Sequence, residues 1–218
     1  MATHGKTRKS FSATGVSEDR PIFSTMPDAG AAPGFNLANH FLIAMPSMLD
    51  PVFGGTVVYL CEHNAQGALG VIINKPTDMS MDLLFDKIDL ELEITLQPGA
   101  HPVMFGGPVQ VERGFVLHSP HDTYSSTMPV TEAIALTTSK DILEAAAAGK
   151  GPDKILVSLG CSGWSAGQLE EEIARNGWLT VPADPAIVFD LPIEQRFVAA
   201  MKLLGIDPVM LAGVAGHA

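Results

Sequence analysis

The densest chemistry in this chain stands at one turn. Cys61, Glu62, His63 and Asn64 place a thiol, a carboxylate, an imidazole and an amide in succession. They end a β-rich run that starts at Gly54 and meets a second run across the polar turn Asn64 to Gly67. A thiol with an imidazole makes a nucleophile and its base, provided the two come within about 2.6–3.2 Å. Side chains alternate along a strand, so Tyr59, Cys61 and His63 are expected on one face and Glu62 on the other, with same-face neighbours roughly 6–7 Å apart. That spacing suits the pair poorly. The plainer expectation is a buried cysteine, with Glu62, His63 and Asn64 bonding the hairpin's own backbone.

A second nucleophile signal is Gly163-Trp164-Ser165-Ala166-Gly167, a G-x-S-x-G between a strand and a helix. That is the setting of a nucleophile elbow. Ser165 and Cys61 are therefore the residues a hydrolase would use. Against this, only His217 follows Ser165, in a Gly/Ala-rich end, and the chain has no HGGG-type oxyanion segment. Ser165 also forms a capping box with Gln168, which gives its hydroxyl a structural task. Gly160, Gly163 and Gly167 could admit an anion at the helix start, but Glu170, Glu171 and Glu172 would compete with a phosphate there. Trp164 either packs this turn or stacks on a ligand. Lys75, Arg113 and His118 stand near strand ends. Lys75 or Arg113 pairing with Glu62 is the structural expectation, and a small-anion site from the same residues is the functional one.

Composition narrows the classes. The chain has 218 residues, 46% of them apolar, enough for one sizeable core. Its formal net charge of −11 opposes direct binding to nucleic acid, which depends on Lys and Arg displacing counterions. Two cysteines, Cys61 and Cys161, do not make a secreted disulfide framework, and reduced thiols are expected. C-x-x-C and H-x-x-x-H spacings are both absent, so neither a metal nor another cofactor is expected. His118 and His121 stand three apart without a cysteine near them in sequence. The first residues contain no apolar leader, and no apolar run reaches the ~20 residues a membrane helix needs. A cytoplasmic protein off the membrane is expected.

Residues 1–34 lack apolar periodicity and read as a disordered tail, and 206–218 as a C-terminal tail. Between them, strands are expected at His40–Met45, Thr56–His63 and Ala68–Asn74, the last two as a hairpin around Ala65-Gln66-Gly67. A short helix follows over Met79–Ile88, with Leu83 and Leu84 inward. Pro102–Phe105 and Gly114–His118 read as a second hairpin around Gly106-Gly107-Pro108, where glycines permit unusual angles and proline breaks the ladder. Glu132–Thr137 and Lys154–Leu159 read as strands, and 139–148 as a helix with a weak Thr138/Asp141 cap. The Ser165 box opens a helix to Asn176 that stops at Gly177. Ala186–Phe189 reads as a last strand. Pro192 starts a helix with the stripe Ile193, Phe197, Met201 and Leu204, closed by Gly205. Hairpins followed by strand–helix alternation indicate α+β in one domain.

Together these segments resemble the AlgH/YqgE family of bacterial proteins. The resemblance rests on Asp50-Pro51 with Phe53, Tyr59-Leu60-Cys61-Glu62-His63-Asn64, Gly67 and Gly70, and Ile73-Asn74-Lys75-Pro76. It continues through Gly106-Gly107-Pro108-Val109, Arg113-Gly114-Phe115-Val116-Leu117-His118, Ser139 with Asp141, and Gly160 to Ile173 with Asn176 and Trp178, and spans about residues 36–205. The resemblance implies a single α+β domain over 35–205, with a mostly antiparallel, bifurcated or barrel-like sheet surrounded by helices. It implies no established activity, cofactor or catalytic set, and it brings a transcriptional-regulator label by family name only. Cys161 stands where the family often has Tyr and Ser165 where it often has Gly, which argues against a serine nucleophile. The expectation is a non-enzymatic binding or regulatory protein acting on a partner protein or small ligand. Its candidate binding residues are Glu62, His63, Asn64, Lys75, Gly106, Gly107, Pro108, Arg113 and Trp164. The alternative is a hydrolase using Ser165 or Cys61.

Overall fold

The computed structural model describes residues 36–91, 102–120 and 123–206. The expected tails over 1–34 and 206–218, apart from residue 206, lie outside them, as do His121 and His217. The described residues form ten strands and five helices in one α+β domain, with a curled, mostly antiparallel sheet.

The central hairpin pairs β2 (Val57–Asn64) with β3 (Gly67–Ile72). β1 (His40–Ala44) lies against β2 and carries β10 (Trp178–Pro182) on its other side, both antiparallel. β2 is buried on both faces. Tyr59 and Cys61 join a core with Phe41, Val71 and Met201, while Val58 and Leu60 join a second core with Leu42, Trp164 and Trp178. This explains the near-continuous apolar run of β2, since a two-sided strand has no solvent face to mark with polar residues.

The sheet forks at β9 (Ile155–Ser165), an 11-residue strand that runs past the expected end at Leu159. Its first half pairs with β5 (Pro102–Phe105) in parallel and with β6 (Val109–His118) antiparallel, whereas its last residues pair with β3. The bend falls at Gly160, with φ +73°. β5 and β6 are therefore not the expected hairpin, because β9 lies between them. The chain passes from one to the other by crossing the β9 backbone at Gly106 and Gly107. A Cβ on Gly106 would lie 2.2 Å from the Gly160 carbonyl oxygen, and one on Gly107 2.3 Å from that of Cys161. Glycine is required there by contact with backbone, not by a two-residue turn. β4 (Pro76–Ser80) extends this arm beyond β5, and β8 (Ala135–Thr137) with β7 (Thr127–Pro129) extends the other beyond β6. The expected strand Glu132–Thr137 shrinks to its last three residues.

α1 (Met81–Lys87) and α2 (Asp141–Ala147) close a third core around Phe85, Val116 and Ile142. Leu84 faces inward as expected, but Leu83 is exposed. α3 (Gln168–Ala174) covers the Trp164 side. Its N-cap is Gly167 rather than Ser165, and the Ser165 N–H donates to Gln168 Oε1 at 3.0 Å. The expected strand at Ala186–Phe189 is instead α4 (Pro185–Phe189). Asp184 accepts from the Ala186 N–H at 2.9 Å and Pro185 fills the first turn, a helix-start signature that outweighs the β-prone Ile187 and Val188. The last strand is β10, eight residues earlier than expected. α5 (Ile193–Leu203) packs on the main core through Ala200 and Met201, with Ile193, Phe197 and Leu204 alongside.

Candidate functional site

A β-bulge reverses the expected geometry of the Cys61 turn. Leu60 pairs with Gly70 and Glu62 with the adjacent Leu69, so Cys61 is one extra residue on β2. An extra residue shifts the alternation by one. Cys61 stays with Tyr59 on the main-core face, Glu62 follows opposite Leu69, and His63 turns to the other face opposite Ala68. The thiol and the imidazole thus part. His63 is buried, and both ring nitrogens are engaged. Nδ1 accepts from the Leu37 N–H at 3.0 Å, which leaves the proton on Nε2 to be donated to Glu170 Oε1 at 2.9 Å. The Cys61 Sγ lies 3.8 Å from the Tyr59 carbonyl oxygen. Burial raises its pKa well above the ordinary thiol value, and Cys161 and Glu62 add to the rise. Burial likewise pushes Cys161 up to about 12, with Arg113 opposing. The native protein is therefore expected to resist iodoacetamide at pH 8 and to be alkylated at both cysteines once unfolded. Rapid labelling of the native state, read by mass spectrometry, would overturn this.

The other candidates sit in separate places. Glu62 accepts from the Asn64 amide at 2.7 Å, and Asn64 Oδ1 receives the Gln66 N–H at 2.7 Å, so these two organise the turn. Burial raises the Glu62 pKa, against the Asn64 hydrogen bond. Neither Lys75 nor Arg113 pairs with Glu62. Lys75 stands at the far end of the hairpin, and β3 between them is roughly 20 Å long at about 3.3 Å per residue. Its ammonium donates to the carbonyls of Pro51 and Val52 at 3.1 Å each and lies 5.4 Å from the Phe105 ring centroid. Arg113 donates to Thr138 Oγ1 at 2.9 Å. It belongs to residues 110–113, which bulge from β6 between the pairs Val109–Cys161 and Gly114–Leu159, leaving Val111, Glu112 and Arg113 exposed. Lys75, Gly106, Gly107, Pro108 and this bulge all border the fork. The Glu62–Asn64 turn does not.

Trp164 is enclosed, 1% exposed, edge-to-face with Trp178 at 6.1 Å. Both indole N–H groups donate to Glu172 Oε2 at 2.9 Å, and the Gln168 amide donates to Oε1 at 3.1 Å. From sequence Glu172 reads as a competitor of a phosphate, which misses its burial and its role as indole acceptor. Its signal was an acidic residue three after Leu169, on the apolar face of α3.

His118 is buried at the end of β6. Its Nδ1 lies 2.8 Å from the Ser119 carbonyl and must donate, so Nε2 accepts from Thr137 Oγ1 at 2.9 Å. Thr137 in turn bonds Thr127 at 2.8 Å. Burial lowers the His118 pKa from its usual 6.5, with the Ser119 bond opposing. A depressed imidazole gives stability that is full above 6.5 and lost as pH falls toward the folded-state value, because the unfolded chain takes the proton first. The urea midpoint is thus expected to fall between pH 7.5 and 5.5, and more steeply than in His118→Gln. Equal pH slopes would refute the assignment.

Among the described residues, no three His, Cys, Asp or Glu side chains gather as a metal site, and no helix is long and apolar enough to cross a membrane.

Comparison with known proteins fits this architecture. A family model described as AlgH-like matches residues 41–209. A UPF0301 protein of Cupriavidus pinatubonensis is 64% identical over 184 residues, covering 84% of this chain and 96% of that relative. One from Ralstonia nicotianae is 63% identical with the same coverage. The solution structure of the AlgH protein from Pseudomonas aeruginosa superposes with a TM-score of 0.68 at 49% identity, over 86% of this chain and 98% of that one. Protein DIP2367 of Corynebacterium diphtheriae shares the fold at 17% identity, with a TM-score of 0.62 over 79% and 89% of the two chains. The match across the forked sheet, the Cys61 turn and the helices that close the cores means that this chain belongs to the AlgH-like family of UPF0301 proteins.

Proposed function

We propose that this chain is a non-enzymatic binding protein of the cytoplasm, exerting a regulatory effect through contact with a partner protein or small ligand. The observation that carries this reading is the engagement of its reactive groups. The Cys61 thiol is enclosed and held protonated, and the His63 ring is committed to Leu37 and Glu170. A general base needs a nitrogen within reach of the proton it takes. Two buried free cysteines are in keeping with a reducing compartment. The exposed residues 111–113, with Lys75 and Pro108 nearby, are the favoured contact surface. The net charge of −11 favours contact with proteins or small molecules over DNA.

The test is turnover. Ester substrates and an activated-serine probe are expected to give neither hydrolysis nor labelling. Hydrolysis lost in Ser165→Ala or Cys61→Ala would establish the hydrolase reading instead. DNA binding that weakens steeply with added salt would overturn the choice of partner.

A further inference from the structure

A groove of about 850 Å³ lies away from the polar turns, between the start of β9, the region after α2, and the α4–α5 connection. Its size is that of small-molecule sites. Phe85, Met104, Leu156, Phe189 and Ile193 give it apolar walls, and Arg196 also lines it. Arg196 is 7% exposed, an unusual burial for a guanidinium. Its Nε donates to the Leu191 carbonyl at 3.2 Å and its Nη1 to the Ile73 carbonyl at 2.5 Å. The second bond ties α5 to the residue that follows β3. Nη2 has no protein partner among the described residues, nor is it among the enclosed unpaired atoms. Arg196 lines the groove, so this nitrogen is the donor its side chain has left for a ligand there.

A buried cation with unused donors favours an anion that completes its hydrogen bonds, and a carboxylate fits a guanidinium best. The other charges of the lining are Asp153, Lys154 and Asp190, all exposed. Lys154 and Asp190 neutralise each other at 2.6 Å. Solvent screens what remains at the rim, and exposed Glu194, whose charge also acts on Arg196, makes no hydrogen bond to it, so the inner guanidinium keeps a donor for an anion. Apolar walls around one inner cation suit one chemistry: an amphiphile with an apolar body and a single anionic head.

We infer that this groove binds a small amphiphilic monoanion, its head on Arg196 Nη2 and its chain against Phe85, Met104 and Leu156. The inference names a ligand class for the binding reading above and rests on it. The two fail separately, since turnover tests that reading and titration tests this one.

The experiment titrates the full chain with decanoate below its micellar concentration, following backbone amide shifts by NMR. Saturable shifts confined to the lining, at 85, 104, 154–157, 189–191, 193 and 196, are expected, with 1-decanol and decyltrimethylammonium about tenfold weaker, as for losing one charge-assisted hydrogen bond. Arg196→Gln is expected to weaken decanoate about tenfold and to leave decanol unchanged. Should that variant not fold, the head-group comparison on the wild-type chain decides alone. Shifts scattered over the surface, equal affinity for decanol and decanoate, or decanoate binding untouched by Arg196→Gln would each overturn the proposal.

Discussion

Gly107→Ala is expected to destabilise the fold by about 3–6 kcal/mol, combining overpacking against backbone with a left-handed conformation closed to alanine. The added Cβ would meet the Cys161 carbonyl oxygen at 2.3 Å, its carbon at 2.4 Å and the Ser162 nitrogen at 2.5 Å, while φ stands at +148°. None of these atoms can rotate away, because all belong to the β9 backbone at the fork. A domain of this size has roughly 5–15 kcal/mol in total, so the variant should lose much of its cooperative unfolding transition. Gly114→Ala is the control. Nothing lies within 4 Å of its Cβ, and a change within about 0.5 kcal/mol is expected. Urea denaturation of the two proteins checks both. If Gly107→Ala kept full stability, the crossing would not be tight and Gly107 would return as a residue kept free for ligand contact.

Glu172→Ala is expected to cost about 3–5 kcal/mol, since two buried indole donors and the Gln168 amide lose their acceptor at about 1–3 kcal/mol each, less what they regain by relaxation. Two indole N–H groups, from Trp164 and Trp178, would lose their common acceptor inside a core closed by Phe53. The melting temperature should fall by roughly 6–20 °C, at about 2–4 °C per kcal/mol for a chain of this length. Glu172→Gln keeps an oxygen for the indoles but turns an amide toward the Gln168 donor, and about 1–2 kcal/mol is expected. Tryptophan fluorescence reads the same change, since both rings sit on one oxygen. A loss below about 0.5 kcal/mol in Glu172→Ala would mean the indoles find other acceptors.

These two positions mark the limits of sequence reading here. Gly107 was legible as a glycine with a task but assigned to the wrong one. Local pattern presents Pro102–Phe105 and Gly114–His118 as neighbours across a short turn. That β9, some forty residues later, inserts between them is a long-range pairing with no local trace. Glu172 was read as one of three charges that would compete with a phosphate at the helix start, because its partners lie on β9 and at Trp178.

By itself, the sequence determined the α+β class, the β2–β3 hairpin, the helices α1, α2, α3 and α5 and the family, since each rests on periodicity, turn residues or long ordered motifs. Ala186–Phe189 was also within its reach, through the Asp184-Pro185 helix start, which the β-prone residues masked. Only the tertiary structure decided which side chains meet. One extra residue at Cys61 sends His63 to the opposite face from the thiol, and a sequence does not reveal a bulge. The length of the hairpin holds Lys75 away from Glu62. The folding of α5 across the sheet buries Arg196, a residue that sequence alone would place on a solvated helix face.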